Sequence, residues 1–348
     1  MLDFRTITIS SNENLRDALL KLNSNPQYLT LFVLNDDGKV IGSITDGDIR
    51  RALLSDLSNI SLVSEFYNDS FTFLENGIHN PETLKRIKEN GIKIVPVLDT
   101  NGKLVKVLNF ELIKALLPID AVIMAGGKGT RLMPLTENTP KPMLRIGDKP
   151  IIEYNIDHLK KYGIFNQHLS IKYLGDQLIN YFKDGSSKDL KIFYINEDKP
   201  LGTIGAVSKI NNFENDYILV MNSDILTDID YSDLFNKMIQ EDADMVVSTT
   251  SYDVKVPYGI LETNGIEITN LVEKPTYTYH SNAGIYLIKR EHLRLIPKNT
   301  HFNATELMLE LIEQNYKVVH FPIPGYWLDI GKHIDFEKAQ EDIKHLKL

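Results

Sequence analysis

The chain has 348 residues, 43% of them hydrophobic and 24% charged, with no cysteine and a formal net charge of -9. Such a length calls for two or three domains. The acidic balance argues against general nucleic-acid binding, which needs a basic face, and the lack of cysteine excludes disulfides, thiolate catalysis and cysteine-ligated zinc. The start, MLDFRTITIS, carries Asp3 where a signal peptide needs an apolar core. No stretch approaches the roughly 18 apolar residues of a membrane span, so a cytoplasmic protein without membrane contact is expected.

The N-terminal third repeats itself. Leu34–Leu54 reads LNDDGKVIGSITDGDIRRALL and Leu98–Pro118 reads LDTNGKLVKVLNFELIKALLP, with Gly38 and Gly102 in register 64 residues apart. In each copy a strand meets an Asx-Gly turn, a second strand follows, and a helix is predicted, over Phe110–Leu117 in the second copy. Upstream, Leu15, Leu19 and Leu22 have helical spacing within Asn14–Asn23, as do Leu84 and Ile87 within Pro81–Asn90. Each copy therefore reads as β-α-β-β-α, and two copies can pack their sheets together. Thr45 and Asp48 stand where a strand gives way to a helix. A hydroxyl there can cap the helix or hold a phosphate, and the carboxylate can complement the dipole or accept from ribose hydroxyls. The second copy has Asn109 and Leu112 instead, so its carboxylate is gone.

This pattern resembles a pair of CBS domains (cystathionine-β-synthase-type repeats), residues 1–58 and 59–117. The resemblance implies an adenine nucleotide at Thr45 and Asp48 and a homo-oligomer formed through the pair; the alternative for the two residues is a plain helix cap. No low-complexity linker follows, and the boundary with the next domain falls near Leu117.

From Ile119 the chain alternates strands (Val122–Met124, Gln167–Ile171, Lys191–Ile195, Tyr217–Met221, Met245–Thr250) with helices (near Pro150–Tyr162, Gly175–Phe182, Thr203–Ile210 and Tyr231–Asp242). That order implies an α/β domain over 118–348, a mainly parallel sheet covered on both faces, with ligands at the carboxyl ends of the strands. The first strand runs into AVIMAGGKGTRLMPLTENTPKPML, Ala121–Leu144. Bare N–H groups around Ala125, Gly126, Gly127, Gly129 and Thr130 form a nest for phosphate, and Arg131 and Lys141 add fixed positive charge. The spacing matches neither the dinucleotide fingerprint nor the P-loop. Further on, the glycines of LGTIGA (Leu201–Ala206) let a planar base approach the backbone at Gly202 and Thr203. In ILVMNSD the strand delivers Asp224 to the carboxyl edge.

The glycine string with its PKPML tail resembles the signature loop of the sugar-1-phosphate nucleotidyltransferases, and the resemblance extends over essentially all of 119–348. It implies a Rossmann-like (GT-A-like) fold with added mixed strands for a sugar. By that likeness Glu197 reads the base, Asp224 and Asp329 (in YWLDIG) ligate Mg2+, and Gly259, Glu273 and Asn282 line the sugar. Arg131 would hold the β- and γ-phosphates, Lys141 the α-phosphoryl charge, and Lys274 the attacking phosphate. Blander alternatives are a solvated Glu197, a turn residue at Asp329, and an exposed strand end at Glu273 and Lys274. The expected partners are a nucleoside triphosphate and a sugar 1-phosphate. A CBS pair on a compact transferase resembles the guanylyltransferases that charge glucosamine 1-phosphate, with UTP, dTTP or CTP as alternative donors. A non-catalytic nucleotide sensor is the competing class.

Overall fold

The computed structural model describes residues 4–26, 28–76, 86–87 and 89–346. The chain divides into two compact units, 1–116 and 117–348.

In the first unit the two halves are built alike. β1 (Thr8–Ser10), α1 (Leu15–Ser24), β2 (Thr30–Leu34), β3 (Val40–Thr45) and α2 (Asp46–Leu54) make the first; β4 (Leu74–Glu75), β5 (Ile94–Leu98) and β6 (Leu104–Asn109) repeat its sheet. Each sheet pairs one parallel and one antiparallel neighbour around its middle strand. The hairpin turns are copies in detail. Asn35 Oδ1 accepts from the N–H groups of Asp37 and Lys39, and Asp99 Oδ1 from those of Asn101 and Lys103. Gly38 and Gly102 both sit at positive φ, +74° and +77°, where only glycine is free of Cβ strain.

Alternation along β2 explains the packing. Leu31 and Val33 point into a core with Leu15, Ala18, Leu22, Ile49 and Ala52 of the two helices. Phe32 points the other way, into a core shared with Ile94 and Leu98 of the second sheet. The sheets thus meet face to face, as the repeat implied.

Two expectations need correction or restriction. Most of the predicted Pro81–Asn90 helix lies outside the described residues; Arg86, Ile87 and Glu89 are helical. The helix predicted over Phe110–Leu117 is only a turn. Asn109 Oδ1 accepts from Glu111 N–H, an Asx turn, and with Leu112 in place of an acid no capping box can form. Eight residues ending at Pro118 are too few to propagate a helix unaided. In the first copy the box is complete. Asp48 N–H reaches Thr45 Oγ1, and Asp48 Oδ2 accepts from Thr45 N–H at 2.7 Å and from its hydroxyl at 2.6 Å.

The second unit is a seven-stranded sheet. Its strands are β7 (Ile119–Met124), β8 (Asn166–Ile171), β9 (Lys191–Asn196), β10 (Tyr217–Asn222), β12 (Met245–Lys255), β15 (Thr276–Lys289) and β16 (Val318–Pro322). They lie in the order β9-β8-β7-β10-β15-β12-β16. Every pairing is parallel except the two made by β15. Helices α3 (Ile151–Lys161), α4 (Gly175–Phe182), α5 (Tyr231–Gln240), α6 (Ala304–Glu313) and α7 (His333–Asp342) complete the unit with the short pair β11 (Ile225–Thr227) and β17 (Trp327–Asp329). The hairpin of β13 (Ile260–Asn264) and β14 (Glu267–Val272) stands on the outer ends of β12 and β15. The predicted Thr203–Ile210 helix is instead a 3-10 turn over Gly205–Lys209. A Cβ on Gly205 would stand 2.6 Å from Thr300 O, so a neighbouring carbonyl presses against the backbone there. No helix among the described residues is long and apolar enough to cross a membrane.

Replacing Thr45 by alanine removes one hydrogen-bonding half of the α2 capping box. We expect a loss of about 1 kcal/mol, read in the full chain as faster amide exchange across Asp46–Leu54. Unchanged exchange there would mean that the box adds nothing to the helix.

Candidate active site

The strand order reverses between β7, which leads to β8 and β9 on one side, and β10 on the other. Ligands in open α/β sheets bind at such a switch point. The glycine loop leaves β7 at this place and Asp224 leaves β10, with Ser223 N–H donating to Met124 O at 3.2 Å.

A short ladder sets Asp224 beside Asp329. Ile225 pairs with Asp329 across β11 and β17, and Ile330 N–H donates to Asp224 O at 3.0 Å. The glycine loop is anchored on that ladder by apolar contacts. Leu132 and Leu144 share a core with Leu226, Leu328 and Ile330. This anchoring brings Lys141, 8% exposed and flanked by two prolines, into an ion pair with Asp224. Gly129 lies at φ +61°, and a Cβ on it would stand 2.9 Å from Lys141 Cβ. Glycine is therefore required for the chain to turn past the lysine. Arg131 lies over Gly331, its guanidinium 3.5 Å from where a Cβ on that glycine would be.

Two cations and two carboxylates from three distant stretches thus converge. Burial, and behind it the neighbouring Asp224 charge, pushes the Asp329 carboxyl above its ordinary range, while Lys141 and Arg131 pull it back. Lys141 pairs with only one of the two acids. Adjacent, half-buried carboxylates with incomplete compensation suit a hard divalent cation, which takes oxygen ligands and would relieve their repulsion.

The second side of the site is built on a cross-strand row. Ala125 N–H donates to Ser170 O at 2.8 Å and Glu197 N–H to Ile171 O at 3.0 Å, carrying the β7-β8-β9 ladder past its formal ends. Gly126, Lys172 and Glu197 follow as neighbours at the carboxyl edge. A Cβ on Gly126 would stand 2.8 Å from Glu197 Oε1 and 3.4 Å from Lys172 Cβ. Glu197 is buried, which removes the solvated alternative. Its Oε1 accepts from Ser170 Oγ at 2.6 Å and its Oε2 from Leu201 N–H at 3.0 Å. It therefore ties the strand ends to the LGTIGA turn. Gly202 sits at φ +77°, and Phe302 O would lie 2.5 Å from any Cβ there. Thr203 serves α6: its hydroxyl accepts from Ala304 N–H at 2.9 Å, so the structure assigns it to anchoring that helix.

On the third side Asn282 accepts from Gly284 N–H at 2.9 Å and donates to Tyr286 Oη at 2.8 Å. Gly284, at φ +72°, leaves room for Asn222 at the end of β10. Gly259 adjoins Glu273, whose Oε2 would stand 2.9 Å from a Cβ there. Lys274 is exposed with φ +43°, an uncommon conformation for a side chain that bears a Cβ. Gly259, Glu273 and Lys274 lie around the β13–β14 hairpin. Among the described residues no hydrogen bond or ion pair links them to Asp224, Asp329, Arg131 or Lys141.

Motif reading missed Ser170 and Lys172, because only strand register places them beside the glycine loop. It also missed the Asp244, Glu291 and His292 group, whose ligand atoms lie within 4.8 Å of one another. That group is at the amino end of β12, the end opposite Asp224. Asp244 there meets His292, Lys289 and the Lys317 N–H, an arrangement that already satisfies its charge.

Residues 120–345 match the family model described as Nucleotidyl transferase, and residues 3–55 match the CBS domain model. A probable mannose-1-phosphate guanylyltransferase 1 of Oryza sativa subsp. japonica is 32% identical over 225 residues, 62% of this chain and 62% of that protein. The bifunctional protein GlmU of Methanococcus aeolicus is 34% identical over 238 residues, 66% of this chain and 56% of its own. This chain therefore spans about three fifths of the curated relatives it matches. The crystal structure of HddC from Yersinia pseudotuberculosis complexed with GMP-PN is similar at 30% identity and a TM-score of 0.52, covering 64% of this chain and 99% of that one. With the family model covering its larger unit, the chain belongs to the nucleotidyl transferase family and carries a CBS domain ahead of the transferase.

Proposed function

We propose that the protein is a cytoplasmic sugar-1-phosphate nucleotidyltransferase that uses GTP and makes a nucleotide-sugar and pyrophosphate. The observation that carries this reading is the convergence of Arg131 and Lys141 with Asp224 and Asp329 beside the glycine loop. In the reaction a phosphate oxygen of the sugar 1-phosphate attacks the α-phosphorus of the triphosphate. The bond from the α-phosphorus to the bridging oxygen breaks, and pyrophosphate leaves. The nucleophile is an anion at neutral pH, so no general base is required. The obstacle is repulsion between polyanions, and the remedy is positioning with charge neutralisation.

Arg131 faces the phosphates that leave, Lys141 the α-phosphoryl oxygens, and Lys274 the attacking phosphate. Gly259, Glu273 and Asn282 enclose the sugar. Asp224 and Asp329 would hold Mg2+, which supplies Lewis-acid neutralisation of phosphate charge when bound. Guanine is favoured by the guanylyltransferase relatives and by the GMP-PN complex of HddC. Glucosamine 1-phosphate is the sugar we propose, with mannose 1-phosphate next on the strength of a relative's name, and the product would serve surface-glycan assembly.

Pyrophosphate release from GTP, UTP, dTTP and CTP, each against a panel of sugar 1-phosphates, tests the whole reading. Release with none of them would leave the nucleotide-sensor class. Lys141→Ala should lower kcat by roughly 10²–10³; near-wild-type turnover would remove Lys141 from the reaction. Asp329→Asn discards a carboxylate that the fold holds at a cost. Without metal the melting temperature should therefore stay level or rise, whereas the rise on adding Mg2+ should disappear. A full Mg2+-induced rise in the variant would place the ion elsewhere.

For the N-terminal unit we propose self-association. Leu20, Leu53 and Leu54 on α1 and α2 are exposed, and light scattering of the full chain should give at least a dimer. An adenine nucleotide at Thr45 and Asp48 would have to share atoms already engaged in the capping box. A rise in melting temperature with AMP, ADP or ATP would support that site, and a flat titration would leave the pair as a cap.

A further inference from the structure

Lys172 is used by nothing described so far. It follows β8 at the same level as Gly126 after β7 and Glu197 after β9, and it is half-buried. Among the described residues no hydrogen bond or ion pair engages its ammonium. A lysine whose stem lines the same glycine notch as a buried carboxylate, while its ammonium pairs with no described residue, is an unusual arrangement for a merely structural lysine. The notch itself exists because Gly126 has no side chain; a methyl group there would meet the Glu197 carboxylate and the Lys172 stem.

We infer that Lys172 determines base specificity by donating to the keto oxygen of the triphosphate's base, O6 of guanine, while Glu197 accepts from the same edge. The inference rests on the guanine reading given above. A carboxylate offers about four lone-pair directions. Ser170 Oγ and Leu201 N–H take two of them, and two remain for N1–H and the 2-amino group of guanine. Glu197 supplies acceptors and Lys172 supplies the donor, the complement of guanine's acceptor O6 and donors N1–H and N2–H2. Adenine and cytosine would present an amino group to the ammonium. Uracil and thymine keep the keto oxygen and one N–H but lack the second donor. The order of preference is therefore guanine, then uracil or thymine, then adenine or cytosine. The motifs alone leave this pair unseen, because Lys172 and Glu197 become neighbours only through parallel pairing of β8 with β9.

The test compares kcat/KM by pyrophosphate release, at saturating sugar 1-phosphate and Mg2+, for four triphosphates. GTP carries the full edge, ITP lacks the 2-amino group, 2-aminopurine riboside triphosphate lacks O6 and with it N1–H, and ATP reverses the edge. Wild type should rank GTP above ITP, and both above the other two. Lys172→Met should lower kcat/KM for GTP and ITP by roughly 10- to 100-fold, as expected for loss of a charged hydrogen bond. Most of that loss should appear in KM, because the base contact is the same before and during reaction. The 2-aminopurine substrate should change by less than about twofold, and Lys172→Arg should keep most of the GTP preference. An unaltered melting temperature would confirm that the variant is folded. Equal loss on all four substrates, or none, would overturn the role of Lys172 while a wild-type preference for GTP kept the guanine reading intact. A wild type that used the 2-aminopurine substrate as well as GTP would overturn both.

Discussion

A lysine buried against an aspartate holds the carboxyl edge of the second unit's sheet together. Moving two charges out of water is costly, and only close pairing with further compensation makes such a site tolerable. Lys141 and Asp224 meet this condition because their backbones are fixed independently, the lysine by its flanking prolines and the aspartate by the end of β10. The apolar contacts of Leu132 and Leu144 with β11 and β17 do the rest. Remove the lysine, and two adjacent half-buried carboxylates would face each other with Arg131 as the remaining cation among the described residues that offsets Asp329. The need for cationic compensation thus belongs to the folded protein itself, before any phosphate arrives.

That constraint also sorts the two ends of the sheet. At the carboxyl ends lie Lys172 and Lys274, whose ammonium groups have no hydrogen bond or ion pair among the described residues, together with Arg131, which rests over a glycine. They leave positive charge available for a polyanion. At the amino ends the charges are spent on one another: Asp244 with His292 and Lys289, Arg290 with Asp216. Clusters that satisfy themselves stabilise structure, and clusters left unbalanced bind ligands. By this criterion Asp244, Glu291 and His292 are structural despite spacing that suits a metal.

The N-terminal unit illustrates how duplication survives in geometry after it fades in sequence. The Asx turns at Asn35 and Asp99 use equivalent acceptors and the same positive-φ glycine, whereas the terminal helices have diverged. One copy keeps Thr45 and Asp48 and a nine-residue helix; the other substitutes Asn109 and Leu112 and makes a turn. The capping box of the first copy, and its absence together with Pro118 in the second, separate the two outcomes, because short helices are limited by the cost of starting.

Sequence by itself determined the parts governed by local rules. The apolar runs marked five of the seven strands of the sheet, the Asx-Gly turns marked the repeat, and the glycine loop with its basic residues marked the strand end where Lys141 meets Asp224. Local rules failed where a distant group decides the conformation. Gly205 and its neighbours look like a helix start until the carbonyls of 300–302 press on them, and Thr203 looks available until α6 claims its hydroxyl. A solvated Glu197 stays open in the sequence because nothing within the NEDK stretch foretells Ser170 beneath it. Only the tertiary structure could set Lys141 on Asp224, Arg131 over Gly331, and Lys172 beside Glu197. These contacts join strand ends and loops far apart in the chain, and their distances follow from sheet order and register, quantities that hydrogen bonds between strands fix and no single segment encodes.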